Sequence, residues 1–522
     1  MESNLQQRRR HLDIGVHYEP SGVDPHLGAA ELALQMTNAV FDTLVVRTAE
    51  GEYLPGLASA WEVLDAGCRY RFHLRSGVKF HDGTRFDAQA VRFSLERARD
   101  PANRSQLAGA MLGPYLGSDV IDASTLDIRL QRPYALLLDA LSQGWLAPVS
   151  PTAVARLGSD FARAPVGTGP FVFAGWVAGK WIDLQRNPDY AWGPAQVRNR
   201  GVAHLHSIRF HFIASPSERS QALREGRVDA VFYTAPADVA EFRADPRWDV
   251  RTWPIRGIPV CLMMNVTRAP TDDLSVRRAI SHALDRDALV AEVFHGEFER
   301  AWGPVSQFTL GFEPSVKALY PFDMDKAREL LDQASWDRVG ADGIRQRDGQ
   351  RLRVSFYALP VNFYPEFGAI VTAQLKRVGI EVEVRLLEPR AWIQAGMRGE
   401  HHLIPQGKYA ASSQLLTFVY HSRHSGDGGY GWSKRGPQHC AGLDELLESA
   451  EQTLEPERFI PLFQQVQREV MEQALAVPLH CNTNIVAYRK GLQGLEFDAT
   501  GAYPYFHDAS FEAHSADAGV PA

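Results

Sequence analysis

The chain has 522 residues, of which 45% are hydrophobic and 22% are charged, and its formal net charge is −7. This composition is typical of globular proteins with enough apolar mass for a core, and the length predicts roughly two to four domains or one large two-lobed body. The negative balance argues against nucleic acid as the main partner.

No apolar run approaches the ~18 residues that a transmembrane helix requires. The stretch "MESNLQQRRRHLDIGVHYEP" has an arginine run without an apolar segment after it, so the sequence as written predicts no secretory signal. An intracellular protein and a protein whose leader has been removed both stay open. Cys68, Cys261, Cys440 and Cys481 show no CxxC spacing, so a zinc or redox motif is not expected, and disulfide bonding is left open.

From the N-terminus, the pattern predicts strands that alternate with helices. "LDIGVHYEPSGVDP" predicts a strand that enters a loop, and "AAELALQMTNAVFDTLV" carries apolar residues at helical spacing. "RYRFHLR", "HDGT" and "DAQAVRFSLERARD" predict a strand, a turn and a helix that begins at Asp87. In "HLHSIRFHFIASPSERSQALREGRVDAVFY", a βαβ unit is expected, with a helix capped by Ser215 or Ser217 and ended by Gly226. A crossover this short predicts neighbouring parallel strands.

The second half predicts a strand in "GIPVCLMMNVTRAP", a helix in "SVRRAISHALDRDALVAEVF" and a further βαβ-like unit from "LRVSFYA" to "IEVEVRLLE". The region from His401 to Gln438 is rich in Gly, Ser and His and predicts a long loop, a kind of segment that is often functional. No internal repeat is visible. The pattern therefore indicates a large mixed α/β body.

Three motifs are candidates for chemistry. His81–Asp82 would need a nucleophile aimed at the imidazole, and without a G-x-S-x-G elbow a structural turn is favoured. "VGTGPF" lacks the spacing of a phosphate loop and leads into a strand, so it too is expected to be structural. For the histidines of the predicted loop, solvated side chains are favoured, with a metal or metal-chelate site at His421 and His424 as the alternative. No catalytic residue and no cofactor is predicted.

Several segments share one pattern, and they are "YRFHLRSGVKFHDGTRFDAQAV", "APVGTGPF", "RNPDYAWG", "ALREGRVDAVF", "MMNVTRAPTDDLSVRRAISHALDRDALV", "YPFDMDKARELLDQA" and "AVPLHCNTNIVAYRKGLQGL". Together they resemble the solute-binding proteins of ABC transporters, in the peptide/nickel-binding family 5. They occur in family order from about Leu12 to Tyr505 and so cover almost the whole chain. In this family the strand, turn and helix of Tyr70 to Arg99 belong to the scaffold.

The resemblance implies an α/β, two-lobed periplasmic-binding-protein fold of type II, the large three-domain class, with a hinge between the lobes. It implies a first lobe made of residues 11–45, an inserted subdomain at 46–190, a return at 191–264, and the C-terminal residues 486–522. The second lobe is expected at 265–485, between crossings near Asn265 and near Ile485. Hinge closure would then enclose the ligand.

The resemblance also nominates ligand-binding residues. "SGVDPHLGAAEL" and "SQGWLAPVSP" match ligand-contacting segments, and "QGKYAASSQLLT" matches a stretch in which peptide binders carry an aspartate that anchors the ligand's amino terminus. That acid is missing here, which weakens an ordinary peptide as the ligand, although Glu31 could replace it. The arginine and aromatic content of 409–432 suits a polar, anionic or sugar-like ligand. The expected ligand-binding residues are Leu27, Glu31, Gln143, Trp145, Asn265, Tyr409, Ser412, Ser413, Arg423, Tyr430, Trp432 and Tyr503.

The sequence therefore predicts a non-enzymatic solute-binding protein of an ABC importer, located in the periplasm or at the cell surface. It is expected to be a monomer that captures a peptide-like, opine or sugar-phosphate conjugate ligand and delivers it to the permease subunits. A nickel- or metal-chelate-binding member is the alternative within the family. An intracellular ligand sensor on the same fold is the alternative of another class.

Overall fold

The computed structural model describes residues 10–27, 31–103, 108–360, 363–413, 415–426 and 429–512, with only the backbone described at 31–34. The contacts divide the chain into two compact units. The first unit joins the residues up to Trp253 with those from Asn484 onward, and the second spans Pro254–Thr483. None of the described helices is long and apolar enough to cross a membrane.

The first unit is a mixed α/β body. Its α-helices are α1 (Glu31–Val40), α2 (Ala88–Arg99), α3 (Ala108–Met111), α4 (Leu137–Leu141), α5 (Pro151–Leu157), α6 (Pro216–Arg224) and α7 (Val239–Ala244). Its strands are β1 (His11–Val16), β2 (Val45–Arg47), β3 (Tyr53–Pro55), β4 (Ala58–Leu64), β5 (Arg69–Leu74), β6 (Tyr115–Asp122), β7 (Thr125–Leu130), β8 (Phe171–Val177), β9 (Trp181–Arg186), β10 (Ser207–Phe212), β11 (Ala230–Phe232), β12 (Trp248–Pro254) and, after the second unit, β22 (Thr483–Arg489), β23 (Leu492–Gln493), β24 (Glu496–Phe497), β25 (Pro504–Tyr505) and β26 (Ser510–Phe511).

A seven-stranded sheet forms the centre of the first unit, in the order β12-β22-β11-β1-β10-β9-β8. The alternation of β1 buries Leu12 and Ile14 completely, and Ile208 and Phe210 of β10 join them in the same core. Burial of such side chains contributes roughly 1.5–3 kcal/mol each before the cost of ordering the chain. The parallel pairing of β1 with both β10 and β11 places three strand ends at one edge.

A smaller antiparallel sheet, β4-β5-β7-β6, carries the sequence stretch that begins at Tyr70. Tyr70 and Phe72 point to its buried face, and α2 contacts β6 and β7. Asp87 caps α2 by accepting from the N–H of Ala90 at 3.1 Å. The predicted strand, turn and helix are therefore confirmed.

The second unit is built on a six-stranded sheet, in the order β14-β21-β13-β20-β18-β19. Its α-helices are α8 (Leu274–Ala283), α9 (Arg286–Phe294), α10 (Met324–Gln333), α11 (Tyr364–Lys376), α12 (Pro389–Arg398), α13 (Leu415–Tyr420), α14 (Leu443–Gln452) and α15 (Pro456–Glu472). Its strands are β13 (Gly257–Met264), β14 (Glu299–Arg300), β15 (Arg338–Val339), β16 (Arg345–Arg347), β17 (Gln350–Arg351), β18 (Arg353–Ala358), β19 (Glu381–Leu386), β20 (Leu403–Tyr409) and β21 (Ala476–Cys481).

Two sequence-based predictions about local structure are wrong. β10 and β11 are parallel but not neighbours, because β1 lies between them and pairs with both. The region from His401 to Gln438 is not a long loop, since it contains β20 and α13. The Gly, Ser and His content predicted a loop, but pairing with β13 through a register that includes Leu262 and Pro405 holds residues 403–409 as a strand.

The domain boundaries also differ from the positions expected from the sequence. β8 and β9 fall within the expected subdomain at 46–190, yet they pair in the seven-stranded sheet. The first crossing between the lobes was expected near Asn265, directly after β13. Instead, the whole of β13 pairs within the second unit, and the chain enters this unit at Pro254 and leaves it at Thr483. All eight residues of β13 are buried, so its sequence lacks the alternation that would indicate which sheet it joins.

Candidate functional site

The carboxyl ends of the parallel strands in the first unit form one candidate ligand surface. His17 and Tyr18 follow β1, and Tyr233 follows β11. The ring of His17 packs edge-on against Tyr18 and Tyr233, with centroid distances of 4.2 and 4.9 Å. Ligands of α/β sheets bind at the carboxyl ends of the strands, so this aromatic group lies where a small molecule is expected. Sequence analysis missed these residues, although their position directly after predicted strands was the available signal.

Arg219 of α6 holds these strand ends together. Its side chain donates to the carbonyl oxygens of Ile213 and Ala214 at 2.8 Å and of Tyr233 at 3.1 Å, and the residue is only 2% exposed. Burial lowers the pKa of Arg219 to about 10. No carboxylate in the described part of the chain forms an ion pair with it, so carbonyl dipoles alone offset its charge. An acceptor-rich ligand suits this edge better than a cation does.

The other predicted residues of the first unit surround α1. Leu27 is 40% exposed, and Gln143 and Trp145 are buried at a 3₁₀ turn, Gly144–Leu146, that α1 contacts. Tyr503 is buried directly before β25, which also contacts α1. Glu31 begins α1, but its side chain lies outside the described residues. The fold thus brings these nominated segments to one helix.

In the second unit, four aromatic rings form a continuous column. Phe418 stacks on Tyr430 at 5.2 Å, Tyr430 stacks on Trp432 at 6.0 Å, and Trp392 meets Trp432 edge-on at 4.8 Å. Lys408 places its ammonium group 4.9 Å from the centroid of Tyr430. A column of this kind offers flat apolar surface and a positive charge together.

Unpartnered polar atoms accompany this column. Among the described residues, no hydrogen-bond partner is found for the buried indole nitrogens of Trp392 and Trp432, for Oε1 of Gln406 or for Oγ of Ser413. Gln406 belongs to the same cluster because its Nε2 donates to the carbonyl oxygen of Tyr430 at 3.0 Å. Buried polar atoms of folded proteins nearly always have partners. Ligand or water groups are therefore expected to meet them.

The segment of residues 409–413 lies at the end of β20. The hydroxyl of Tyr409 accepts from Nδ2 of Asn482 at 3.1 Å, and Ser412 and Ser413 are 9% and 6% exposed. The stretch from Leu403 to Ser413 contains no carboxylate. This part of the second unit therefore presents hydroxyl groups and, at Lys408, a cation.

A buried ion pair supports the chain on either side of the aromatic column. Arg435 is completely buried, forms an ion pair with Asp444 and donates to the carbonyl oxygen of Tyr420 at 2.5 Å. The carboxylate of Asp444 also accepts from the N–H of Ser422 at 3.0 Å. Removing one partner of such a pair would leave an uncompensated buried charge. These contacts fix the segment that carries Tyr430.

Two nominated residues, Asn265 and Arg423, have side-chain partners within the second unit. Asn265 is fully buried, and its Nδ2 donates to the carbonyl oxygens of Gly399 and His401 at 2.9 and 3.1 Å. Its Oδ1 accepts from the backbone and side chain of Thr267. Arg423 pairs with Glu451 at 3.2 Å. The geometry therefore gives both side chains structural partners.

His421 caps a 3₁₀ turn, Ser422–His424, that ends at His424, and the two ring centroids are 6.4 Å apart. Nδ1 of His421 accepts from the N–H of Arg423 at 3.1 Å, and Nε2 lies 3.2 Å from Oε1 of Glu448. Burial and the neighbouring Arg423 lower the pKa of His424 to about 4. Within the described ranges, no group of three or more His, Cys, Asp or Glu side chains could hold a metal ion.

The two motifs considered structural in the sequence have structural contacts. Nε2 of His81 lies 2.9 Å from the carbonyl oxygen of Gly169, and Asp82 accepts from the hydroxyl of Ser150 at 2.6 Å. In "VGTGPF", a Cβ on Gly167 would lie 2.2 Å from the carbonyl oxygen of Val40. These residues join the subdomain to the central sheet. All four cysteines are free thiols.

Known proteins are similar in sequence to this chain over most of its length. The family described as "Bacterial extracellular solute-binding proteins, family 5 Middle" matches residues 52–430. The probable di/tripeptide-binding protein 5 of Pseudomonas aeruginosa is 29% identical over 500 residues, which cover 90% of each chain.

Two solved structures show the fold. The NikA protein of Brucella suis in complex with Fe(III)-EDTA has a TM-score of 0.85 and 24% identity, over 96% of this chain and 100% of the other. The periplasmic binding protein DppA of Helicobacter pylori in complex with the peptide STSA has a TM-score of 0.83 and 24% identity, over 98% and 100%. The predicted α/β periplasmic-binding-protein fold is confirmed by these likenesses.

Proposed function

Because the chain belongs to the bacterial extracellular solute-binding proteins of family 5, we propose that it captures a polar, peptide-like or conjugated small molecule outside the cytoplasmic membrane. Members of this family bind small solutes and work with ABC permeases. The chain then acts as a monomeric carrier that closes on its ligand and delivers it to the permease subunits. Binding is non-covalent and involves no catalytic step.

The observation that carries the proposal is the donor-rich aromatic column of the second unit. Trp392 and Trp432 each offer a buried indole N–H without a partner among the described residues. An unpaired buried donor costs about 1–3 kcal/mol, and a ligand acceptor would remove that cost. The stacked rings of Tyr430 and Trp432 supply the apolar surface.

Two cationic side chains, one in each unit, favour a particular ligand chemistry. Lys408 lies against the column, and Arg219 carries an unneutralised charge at the strand ends of the first unit. A ligand with carboxylate, hydroxyl or phosphate oxygens matches these groups, whereas a free ammonium group finds no acid in the segment 403–413. Acidic or amino-blocked peptides, opines and sugar-phosphate conjugates all have this chemistry. A di/tripeptide binder among the relatives supports the peptide-like class.

Native mass spectrometry of the purified protein, followed by denaturing release, tests the proposal directly. We expect a retained organic molecule of a few hundred daltons that carries several acceptor oxygens. Thermal-shift measurements with Ala-Ala, N-acetyl-Ala-Ala, glutathione and mannopinic acid then compare ligand classes. N-acetylation is expected to reduce affinity less than tenfold, because no carboxylate is available in 403–413 to anchor the amino group.

Three other outcomes of these measurements would favour the alternative or contradict part of the proposal. A retained metal ion, with a shift produced by Ni²⁺ and histidine together, would favour the metal-chelate alternative, for which His421 and His424 are the candidates. Absence of both a retained molecule and a thermal shift with every probe would contradict the importer proposal. A hundredfold loss on N-acetylation would contradict the proposed ligand chemistry but not solute binding.

A further inference from the structure

Residues 23–27, called the Leu27 loop below, are anchored in the first unit by buried polar side chains. Asp24 and His26 are 2% and 1% exposed. One oxygen of Asp24 accepts from the N–H of His26 at 3.0 Å, which closes a turn directly before Leu27. The side chain of Leu27 is 40% exposed. Asp24 and His26 are therefore held in the interior, while Leu27 beside them is partly exposed.

Arg97, in the last turn of α2, holds this base with both arms of its guanidinium group. Nη1 donates to Oδ1 of Asp24 at 2.9 Å, and Nη2 donates to Oδ2 at 2.6 Å. The guanidinium group also lies 5.6 Å from the ring centroid of Phe161. A lysine could not reproduce this two-armed geometry, because its ammonium group is a single point charge.

His26 extends the same network to a second segment. Its Nδ1 lies 2.9 Å from Nη1 of Arg97, and its Nε2 lies 3.0 Å from the carbonyl oxygen of Ala147. Since Arg97 has no lone pair to offer, Nδ1 accepts and Nε2 donates, so His26 is held as a neutral tautomer. Ala147 directly follows the 3₁₀ turn of Gln143 and Trp145. Four hydrogen bonds thus connect two nominated segments to one arginine, directly or through His26.

We propose that Arg97 is a positioning residue for ligand binding: its contacts with Asp24 and His26 set the Leu27 loop and the Gln143–Trp145 segment in the geometry that a ligand meets. The proposal rests on the proposed function and assigns Arg97 no ligand contact of its own. The helix that carries Arg97 is the one that follows the strand and turn beginning at Tyr70. The strand, turn and helix therefore act as scaffold, and through Arg97 they hold the two nominated segments in place.

The test uses the full chain with Arg97→Lys, and with His26→Phe as a second variant that keeps a ring but removes both hydrogen bonds. Arg71→Lys is the control, because Arg71 also binds a carboxylate, Asp127, through two nitrogen atoms, Nε at 2.8 Å and Nη2 at 2.9 Å, but on the four-stranded sheet. Hydrogen exchange in the unliganded protein reports on the two segments. Calorimetric titration with glutathione, Ala-Ala and mannopinic acid reports on binding.

For Arg97→Lys and His26→Phe, we expect exchange at 23–27 and 143–149 to rise at least fivefold and the Kd of a bound probe to rise about tenfold. Arg71→Lys should lower the melting temperature less, because the Arg71 side chain is more exposed and Arg69 still binds Asp127, and its Kd should stay within twofold of wild type. Equal loss of affinity in Arg71→Lys would overturn the proposal, since affinity would then follow stability. Unchanged affinity or unchanged exchange in both test variants would also overturn it. Wild-type protein that neither retains a molecule nor binds a probe would instead contradict the proposed function.

Discussion

His480 is a buried imidazole that the second unit holds without a hydrogen-bond partner, and its replacement should make the protein resistant to acid. It lies on β21, is 0% exposed, and neither ring nitrogen has a partner among the described residues. Phenylalanine rings surround it at centroid distances of 4.5, 5.6, 5.1 and 5.5 Å, from Phe294, Phe298, Phe363 and Phe367. Burial lowers the pKa of His480 to about 3.

The expected magnitude follows from proton linkage. A histidine in the unfolded chain titrates near pH 6.5, so between that pH and about 3 the unfolded state binds a proton that the folded state does not. Stability therefore falls as the pH is lowered through this window. At pH 4.5, two units below the unfolded pKa, His480 should cost about 3 kcal/mol relative to pH 7.5. His480→Leu should remove this loss, and its stability at pH 7.5 should change little because two unpaired polar atoms leave together with the ring.

The assay is the free energy of opening of β21, measured by native-state hydrogen exchange at pH 7.5 and 4.5, because a chain of two units need not unfold in one step. His295→Asn is the control: His295 is exposed and has a left-handed φ of 53°, which asparagine tolerates. This control should lose as much stability in acid as wild type. If His480→Leu also lost as much as wild type, the linkage argument would be wrong.

Two further predictions concern single atoms. Trp432→Phe keeps the stacked ring but removes the unpartnered N–H, so the Kd of a retained ligand, measured by calorimetry, should rise about tenfold. The control Trp336→Phe removes a buried unpartnered N–H elsewhere in the second unit and should leave this Kd unchanged. Equal effects of the two substitutions would contradict the ligand role of Trp432. Gly167→Ala would place a Cβ 2.2 Å from the backbone oxygen of Val40, so we expect the free energy of unfolding to fall by several kcal/mol or the chain to fail to fold. A melting temperature within 2 °C of wild type would refute the argument. Gly175→Ala is the control, because a Cβ at that position meets open space.

Local patterns predicted the elements whose signals lie within a few residues. Asp87 and Ser215 cap their helices as expected, because capping depends on a side chain and an N–H three residues away. The position of β1 between β10 and β11 depends instead on pairings almost 200 residues apart, which no window of sequence contains. β20 was missed for a related reason, since pairing with β13 overrides the loop signal of the Gly, Ser and His content.

The candidate site shows the same division between local and distant information. Aromatic composition drew attention to the region that contains Tyr430 and Trp432, but the stacking partner Trp392 comes from α12 and could not be assigned from the sequence. Arg423 and Asn265 have side-chain chemistry that suits ligands, yet their structural partners are supplied by α14 and by the turn after α12. Residue type alone does not distinguish a group offered to a ligand from one used by the fold.

This distinction decides which charges can select the ligand. Arg435 is fully buried and Arg97 is largely buried, and each faces a carboxylate, so their charges are offset within the protein. Arg219 is equally buried and faces only carbonyl oxygens. A carbonyl dipole offsets a full charge less completely than a carboxylate does, so the field of Arg219 extends to the aromatic group at the strand ends. Under the proposed function, we therefore expect selection for ligand oxygens to depend more on this neighbourhood than on the arginines that stand out in the sequence.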